Sequence, residues 1–359
     1  MVEKLLIVES PSKARTLQSY LGKGYKIMAS VGHIKDLPKN QLGVEIEKDF
    51  QPHYQIIKGK EKIVKELKME AAKAKQIYLA PDPDREGEAI AWHIKEEVAP
   101  DNHNCFRVLF NEITKNAILE ALKNPQQLNQ ARYESQKARR ILDRLVGYLI
   151  SPILWQKVKG GLSAGRVQSV ALRMVCERER EIFAFVPQEY WSLKARLQAH
   201  SPPVFSSRLI KYKGEKVDRP HKALIEEIYE HVLTKDFLVS KREKKEVQKS
   251  PPPPFITSTL QQEASKKLGY APKKTVLIAQ QLYEGIELGD GQIVGLITYM
   301  RTDSTRISEE AIAAAKSFVE KNFGREYLPK KPYTYKKKGT MQDAHEAIRP
   351  THLEYRPEE

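Results

Sequence analysis

Cysteine is scarce in this chain of 359 residues: there are two, Cys105 and Cys176, far apart and in no C-x-x-C pattern. That excludes a disulfide framework and a cysteine-built zinc site, and it suits a reducing cytoplasm. No apolar run approaches the roughly 20 residues that span a bilayer, and the opening MVEKLLIVES lacks a signal-peptide layout. A membrane partner is therefore not expected. No G-x-x-x-x-G-K-[ST] loop occurs, so nothing points to ATP hydrolysis. Acidic residues are outnumbered, with 46 Asp and Glu against 61 Lys and Arg, for a net charge of +15. A surplus of that sign suits a polyanionic partner. The length accommodates roughly two to four domains with cores of their own.

The chemistry that is present is concentrated in a few segments. In DGQIVGLITYMRTDSTR (290–306), Tyr299 and Arg301 stand two residues apart in a β-branched apolar run. Read as a strand over 293–300, the run turns both side chains to one face. A phenol beside a fixed cation is a pairing suited to attack on a phosphodiester. With an ordinary pKa of about 10, only about 0.1% of the phenol is ionised at pH 7, a handicap of about 4 kcal/mol. A guanidinium within hydrogen-bond reach favours the phenolate and clamps a phosphate bidentately.

A second constellation is acidic. KLLIVESPSKAR (4–15) reads as an apolar strand ending at Glu9, then a loop with Lys13. IYLAPDPDREGEAIAWH (77–93) repeats the design: a short strand, then Asp82, Asp84, Glu86 and Glu88, then an amphipathic helix. Carboxylates at the carboxyl ends of parallel strands lie in the crevice where such sheets bind ligands. Alternating hard oxygen donors suit Mg²⁺, which takes one or two carboxylates together with water and phosphate oxygens.

Along the chain, residues 1–125 alternate short apolar strands with helical stretches, an α/β pattern. Residues 130–185 are helical in period. There Arg139 and Asp143 are four apart, as are Arg140, Arg144 and Tyr148. That spacing describes either a solvated ion-pair face or a nucleic-acid face, with Trp155 close by as a base-stacking candidate. KGGLSAGRVQSVALR follows, a glycine-rich entry to a helix that offers backbone N–H groups to an anion. Residues 189–250 read as antiparallel strands, among them YWSLKARLQA and FLVSKREKKEV, with a helix near 221–234. Pro251 to Pro254 form a stiff spacer. Two helices then precede the tyrosine strand in a winged-helix-like order, the first opened by a Ser258–Gln261 capping box. The fold class is thus multidomain, α/β plus α plus β.

LIVESPSKA, SVGHIKDLP (30–38), APDPDREGEAIAWH (80–93), FNEIT (110–114), GLSAGRVQSVALR (161–173), GLITYMRTDST (295–305) and AHEAIRPT (344–351) together resemble the type IA DNA topoisomerases, in family order and across nearly the whole chain. YMRTDS is more similar to bacterial topoisomerase I than to topoisomerase III. The resemblance implies four domains. These are a Toprim metal-binding domain over 1–128, with 37–63 packing against its neighbour, a helical DNA-binding domain over 129–187, a β-rich arch over 188–252, and a tyrosine domain over 253–359. It implies Tyr299 as nucleophile, forming a 5′-phosphotyrosyl intermediate, with Arg301, Glu9, Lys13 and His345 at the scissile phosphate. Glu9, Asp82, Asp84 and Glu86 would bind Mg²⁺. The single strand would be held by His33, Arg139, Arg140, Asp143, Tyr148, Trp155, Ser163, Ala164, Gly165, Arg166, Val167, Gln168 and Arg301. The expected protein is a cytoplasmic, nucleoid-associated monomer that relaxes negatively supercoiled DNA. The alternatives are a topoisomerase III-like decatenase, or a Toprim-bearing fragment that binds DNA without full relaxation activity. In the family the chain returns through the arch after the tyrosine domain. This chain stops at Glu359, so it is expected to be an N-terminal part whose tyrosine is not pre-organised against Glu9.

Overall fold

The computed structural model describes residues 4–100, 104–289, 291–329, 333, 335 and 345–357. In chain order the first elements are β1 (Lys4–Val8), α1 (Pro11–Leu21), β2 (Tyr25–Ala29), and the short strands β3 (Lys35–Asp36), β4 (Val44–Glu45), β5 (Gln51–Pro52) and β6 (Gln55–Ile56). Then come α2 (Glu61–Ala71), β7 (Gln76–Leu79), α3 (Arg85–Val98), β8 (Cys105–Arg107), α4 (Lys115–Lys123) and α5 (Gln130–Lys157). β2, β1, β7 and β8 form one parallel sheet in that order, with Leu6 opposite both Ile27 and Tyr78. Strands covered on both faces carry continuous apolar runs, and KLLIV is one. Its alternation divides two cores. Leu5 and Ile7 pack with Val64, Leu67, Ile90 and Ile94 from α2 and α3. Leu6 and Val8 pack with Leu17 of α1 and also with Tyr283, Tyr299 and Met300. The tyrosine segment therefore shares a core with the central strand.

The chain forms two compact units, residues 1–165 with 251–359, and residues 166–250. In the first, Leu37 and Val44 pack on Ile141 of α5, so the 37–63 segment does meet the long helix. The second unit holds α6 (Arg166–Ala184), the antiparallel hairpins β9 (Lys194–Leu197) with β10 (Phe205–Arg208) and β11 (Lys211–Tyr212) with β12 (Glu215–Lys216), and α7 (Lys222–Leu233). The strand expected in FLVSKREKKEV does not form. Its alternation is carried by charged residues, and among the described residues no strand pairs with it, so its backbone groups gain nothing from extending.

The first unit resumes with α8 (Thr257–Leu268), α9 (Pro272–Glu284), the hairpin β13 (Ile286–Glu287) with β14 (Ile293–Val294), and α10 (Glu309–Asn322). In place of the Ser258–Gln261 capping box the N-cap is Ile256, which has no side-chain acceptor and whose N donates to Thr259 Oγ1 at 3.0 Å. Thr257 Oγ1 instead donates to Met300 O at 2.7 Å and accepts from Thr302 N at 3.0 Å, tying the helix to the tyrosine segment. The strand expected over 293–300 shrinks to Ile293–Val294. Beyond it the backbone bonds to several segments in turn, Tyr299 N to Asn111 O at 2.7 Å and Thr298 N to Arg349 O at 3.0 Å.

Candidate active site

Side chains from β1, α1, the β7–α3 turn and the segment after β14 meet at the carboxyl ends of β1 and β7. Ser10 Oγ accepts from Lys13 N at 3.2 Å and Pro11 opens α1, which fixes the turn between Glu9 and Lys13. Lys13 is wholly buried, with its ammonium 3.0 Å from Glu9 Oε1 and 3.0 Å from Asp82 Oδ1. Burial pushes the Glu9 carboxyl up to about 8, with Lys13 opposing and Asp82 reinforcing the shift. Burial acts on Asp82 in the same direction, but Lys13 and a hydrogen bond with Glu9 outweigh it and hold Asp82 below the usual range. At neutral pH the cluster is then a protonated Glu9, an ionised Asp82 and a charged Lys13.

Asp84 is the N-cap of α3, with Oδ1 accepting from Gly87 N at 2.8 Å. Its other oxygen accepts from the Tyr299 hydroxyl at 2.6 Å, and Arg301 Nη1 lies 3.5 Å from that same atom. Tyr299 and Arg301 converge although no strand carries them. Arg301 does favour the phenolate, as expected, but it is outweighed. Burial first, then the fields of Asp82 and Asp84, push the phenol far above its usual range, and Arg301 offsets only part. Tyr299, 2% exposed, is a neutral phenol whose proton faces a carboxylate. It is also already seated beside the Glu9 cluster, against the expectation of an unorganised approach. Tyr283 meets its ring edge-on at 5.2 Å, and the His345 ring lies 6.0 Å away. His345 is buried, its Nδ1 lacks a hydrogen-bond partner among the described residues, and burial with the charge of Arg132 holds its imidazole below the usual range.

Residues 127–359 match the family model described as DNA topoisomerase, and residues 4–113 match the Toprim domain. The full-length topoisomerase I from Thermotoga maritima is 46% identical in sequence, with a TM-score of 0.81 over 97% of this chain and 55% of that one. This chain belongs to the type IA DNA topoisomerases. It spans a little over half the length of that relative.

The Toprim carboxylates are not arranged as the ready-made cage the alternation suggests. Among the described residues no three carboxylate, imidazole or thiolate groups are placed to hold one metal ion. Each carboxylate is captured separately. Asp82 and Glu9 share Lys13, Asp84 is divided between Gly87 and Tyr299, and Glu86 accepts from Gln136 Nε2 at 3.0 Å with His33 Nε2 3.6 Å away. Glu88 faces the interior, 1% exposed, and takes Arg107 Nε at 3.0 Å and Asn129 N at 2.6 Å. The other four do line a single cleft of about 510 Å³, together with His33, Arg301 and, from α9, Lys273 and Gln280. Hard oxygen donors on one cleft fit Mg²⁺ in kind, and the Lys13 ammonium stands between two of them where a cation would.

The residues expected on DNA divide into several groups. Arg140 forks onto Asp36, Nε to Oδ1 at 2.8 Å and Nη2 to Oδ2 at 2.7 Å. Arg144 is buried and donates to the carbonyls of Leu37, Pro38 and Gln41. Tyr148 donates to Lys39 O, and the Arg144 guanidinium lies 4.5 Å from its ring centre. This row of α5 clamps the 36–41 loop. Arg139 is exposed, and its charge is felt at Glu86. Asp143 is half-buried. Trp155 is 51% exposed, with its indole N–H on Leu162 O. The glycine-rich motif straddles the two units. Ser163, Ala164 and Gly165 close the first, where Ala164 N donates to Ser151 Oγ at 3.0 Å. Arg166, Val167 and Gln168 open α6 in the second.

The sequence reading missed Arg107, Tyr283, Lys273 and Gln280. Arg107, 1% exposed, also donates to the carbonyls of Leu79, Pro81, Asp82 and Val108, and so shapes the turn that carries Asp82. An arginine ending a short strand, just before FNEIT, was the available signal. FNEIT and HEAIRPT themselves act as staples, with Arg349 Nη2 on Glu112 Oε2 at 2.7 Å.

Proposed function

We propose that this chain carries the strand-cleaving centre of an ATP-independent topoisomerase. It cuts one DNA strand through a 5′-phosphotyrosyl ester, lets the other strand pass and rejoins the first, relaxing negative supercoils. The observation that carries the reading is the hydrogen bond from Tyr299 to Asp84 Oδ2, with Arg301 on the same oxygen and Glu9 lining the same cleft, the buried Lys13 ammonium 3.0 Å from Glu9 Oε1. The Tyr299 oxygen forms a bond to phosphorus as Asp84 takes its proton, and the bond from phosphorus to the 3′ oxygen breaks. Glu9, kept protonated by burial, supplies the proton that leaves a free 3′ hydroxyl. One ester replaces another at nearly equal energy, so reversal needs no ATP. Arg301 and Lys13 offset charge on the phosphoryl oxygens. His345, as a neutral imidazole, hydrogen-bonds at the phosphate.

Toprim domains in this family bind Mg²⁺. Glu9, Asp82, Asp84 and Glu86 would hold it, and it would supply charge neutralisation at the phosphate. Arg139, Trp155, His33 and the 163–165 segment would guide the single strand, with Arg140, Arg144 and Tyr148 holding the scaffold beneath. The centre is built from one chain, which favours a monomer, and its DNA substrate places it in the cytoplasm at the nucleoid.

The test is to trap the adduct on a labelled single-stranded oligonucleotide with denaturant and to map the modified peptide. It should fall on Tyr299 and vanish in Tyr299→Phe. An adduct on another tyrosine would sink the proposal.

A further inference from the structure

The turn after β2 has a backbone that most residues avoid. Val31 has φ 57° and Gly32 φ 82°, two successive residues in the left-handed region. Glycine is at ease there, whereas a β-branched side chain crowds its own backbone. Packing of the Val31 side chain does not impose the conformation, because it is 47% exposed. Hydrogen bonds do. Ser30 N donates to Val8 O at 2.9 Å and Gly32 N to Glu9 O at 2.8 Å. Ser30 Oγ donates to Gly32 O at 2.8 Å. The carbonyls of Ser30 and Val31 both receive the ammonium of Lys60, the residue that caps α2. The Lys60 backbone is itself held, with Lys60 N on Ile57 O at 2.9 Å and Ile57 N on Ile34 O at 3.0 Å.

This turn has two neighbours in the cleft. It presents His33 to Glu86 at 3.6 Å, and through Gly32 N it anchors the backbone of Glu9. Strained backbone persists only where its surroundings over-determine it. Here a side-chain cation, the Lys60 ammonium, reaches in from another element.

We propose that Lys60 is a positioning residue for the cleft. Its ammonium pins Val31 and Gly32 in the left-handed form, and thereby sets His33 against Glu86 and steadies Glu9. Without that ammonium the two carbonyls lose a donor, Val31 relaxes to negative φ, and the bond from Gly32 N to Glu9 O opens. A glycine at position 31 adopts the same form unaided and makes the ammonium dispensable.

The test compares Lys60→Met, Lys60→Arg, Val31→Gly and the double variant Val31→Gly/Lys60→Met in the full chain. The first readout, hydrogen exchange at the Gly32 amide, needs no DNA. The second is single-turnover cleavage of a single-stranded oligonucleotide at saturating concentration, which rests on the function proposed above. Lys60→Met should lose Gly32 protection and slow cleavage about tenfold, the double variant should recover both, and the coupling between the two sites should be non-additive. Lys60→Arg, which still donates to carbonyls, should keep both. Unchanged Gly32 protection in Lys60→Met, or no recovery in the double variant, overturns the proposal. If Lys60→Met does not fold, Val31→Gly alone decides: it should raise the thermal midpoint by relieving strain, and a lowered midpoint overturns the idea. Absence of cleavage by the parent chain would sink the proposed function and leave the exchange result to stand alone.

Discussion

Gly87→Ala sets two effects of opposite sign against each other. Gly87 lies in the first turn of α3, and alanine is favoured over glycine inside a helix by about 0.8–1.0 kcal/mol. A Cβ at that position, however, would stand 2.0 Å from Asp82 O and 2.9 Å from Asp82 N. Restoring ordinary contact at 3.4 Å needs a movement of about 1.4 Å. The obstacle is backbone, which cannot swing aside as a flexible side chain can. It is also held, by Arg107 Nη2 on Asp82 O at 2.6 Å and by Lys13 on the Asp82 side chain at 3.0 Å. Overpacking of this kind costs about 1–3 kcal/mol, so after the propensity gain the expected net loss is about 0–2 kcal/mol, towards the upper end because the obstacle is held backbone. The larger effect falls on chemistry. Asp82 shares Lys13 with Glu9, and a displacement of about 1 Å among reacting groups can cost about 100-fold in rate. Urea unfolding gives the first quantity and the rate of oligonucleotide adduct formation the second. A variant as stable as the parent that also cleaves at the parent's rate would refute the reasoning.

The remaining predictions concern acid stability, the arginine row and the metal. His93 is buried with both ring nitrogens unpartnered among the described residues, and burial lowers its pKa to about 4 from an ordinary 6.5. Because the folded value is depressed, its contribution is complete above pH 6.5 and is lost as pH falls through 4, a change of up to about 3 kcal/mol. Thermal midpoints of the parent should therefore fall more steeply than those of His93→Leu between pH 7 and 4, and parallel curves would count against it. Arg144→Met should cost about 2–3 kcal/mol by stranding the carbonyls of the 37–41 loop, leaving the salt dependence of oligonucleotide binding unaltered. Arg139→Ala should do the reverse, sparing stability and flattening the log-affinity against log-salt slope by about 0.7. Calorimetry without DNA should show Mg²⁺ binding weakened at least tenfold in Asp82→Asn/Asp84→Asn, and equal binding would move the metal to other residues.

The sequence by itself determined the elements whose information is local. KLLIV and QIYL could only be covered strands, because continuous apolar runs have no face to give to water. The Ser10–Pro11 and Asp84–Gly87 helix entries follow from capping chemistry within a few residues. Glu9, Asp82, Tyr299 and Arg301 were marked by the resemblance of their motifs to the type IA family rather than by spacing alone, since a tyrosine in an apolar run is more often a half-buried strand residue. What the sequence could not carry was which partner each group meets. Glu88 reads like its neighbours Asp84 and Glu86, yet it belongs to Arg107 because the helix turns it inward against β8. Arg140 and Arg144 show helical charge spacing that suits DNA equally well, until a loop about a hundred residues earlier in the chain folds over them. The Tyr299 segment has the composition of a strand, but its hydrogen bonds go to Asn111 and its neighbours' to Arg349, so tertiary partners overrode the local preference. The direction of the Tyr299 proton was beyond the sequence for the same reason. Arg301 is two residues away in the chain, but burial and two carboxylates more than 200 residues distant fix its charge state.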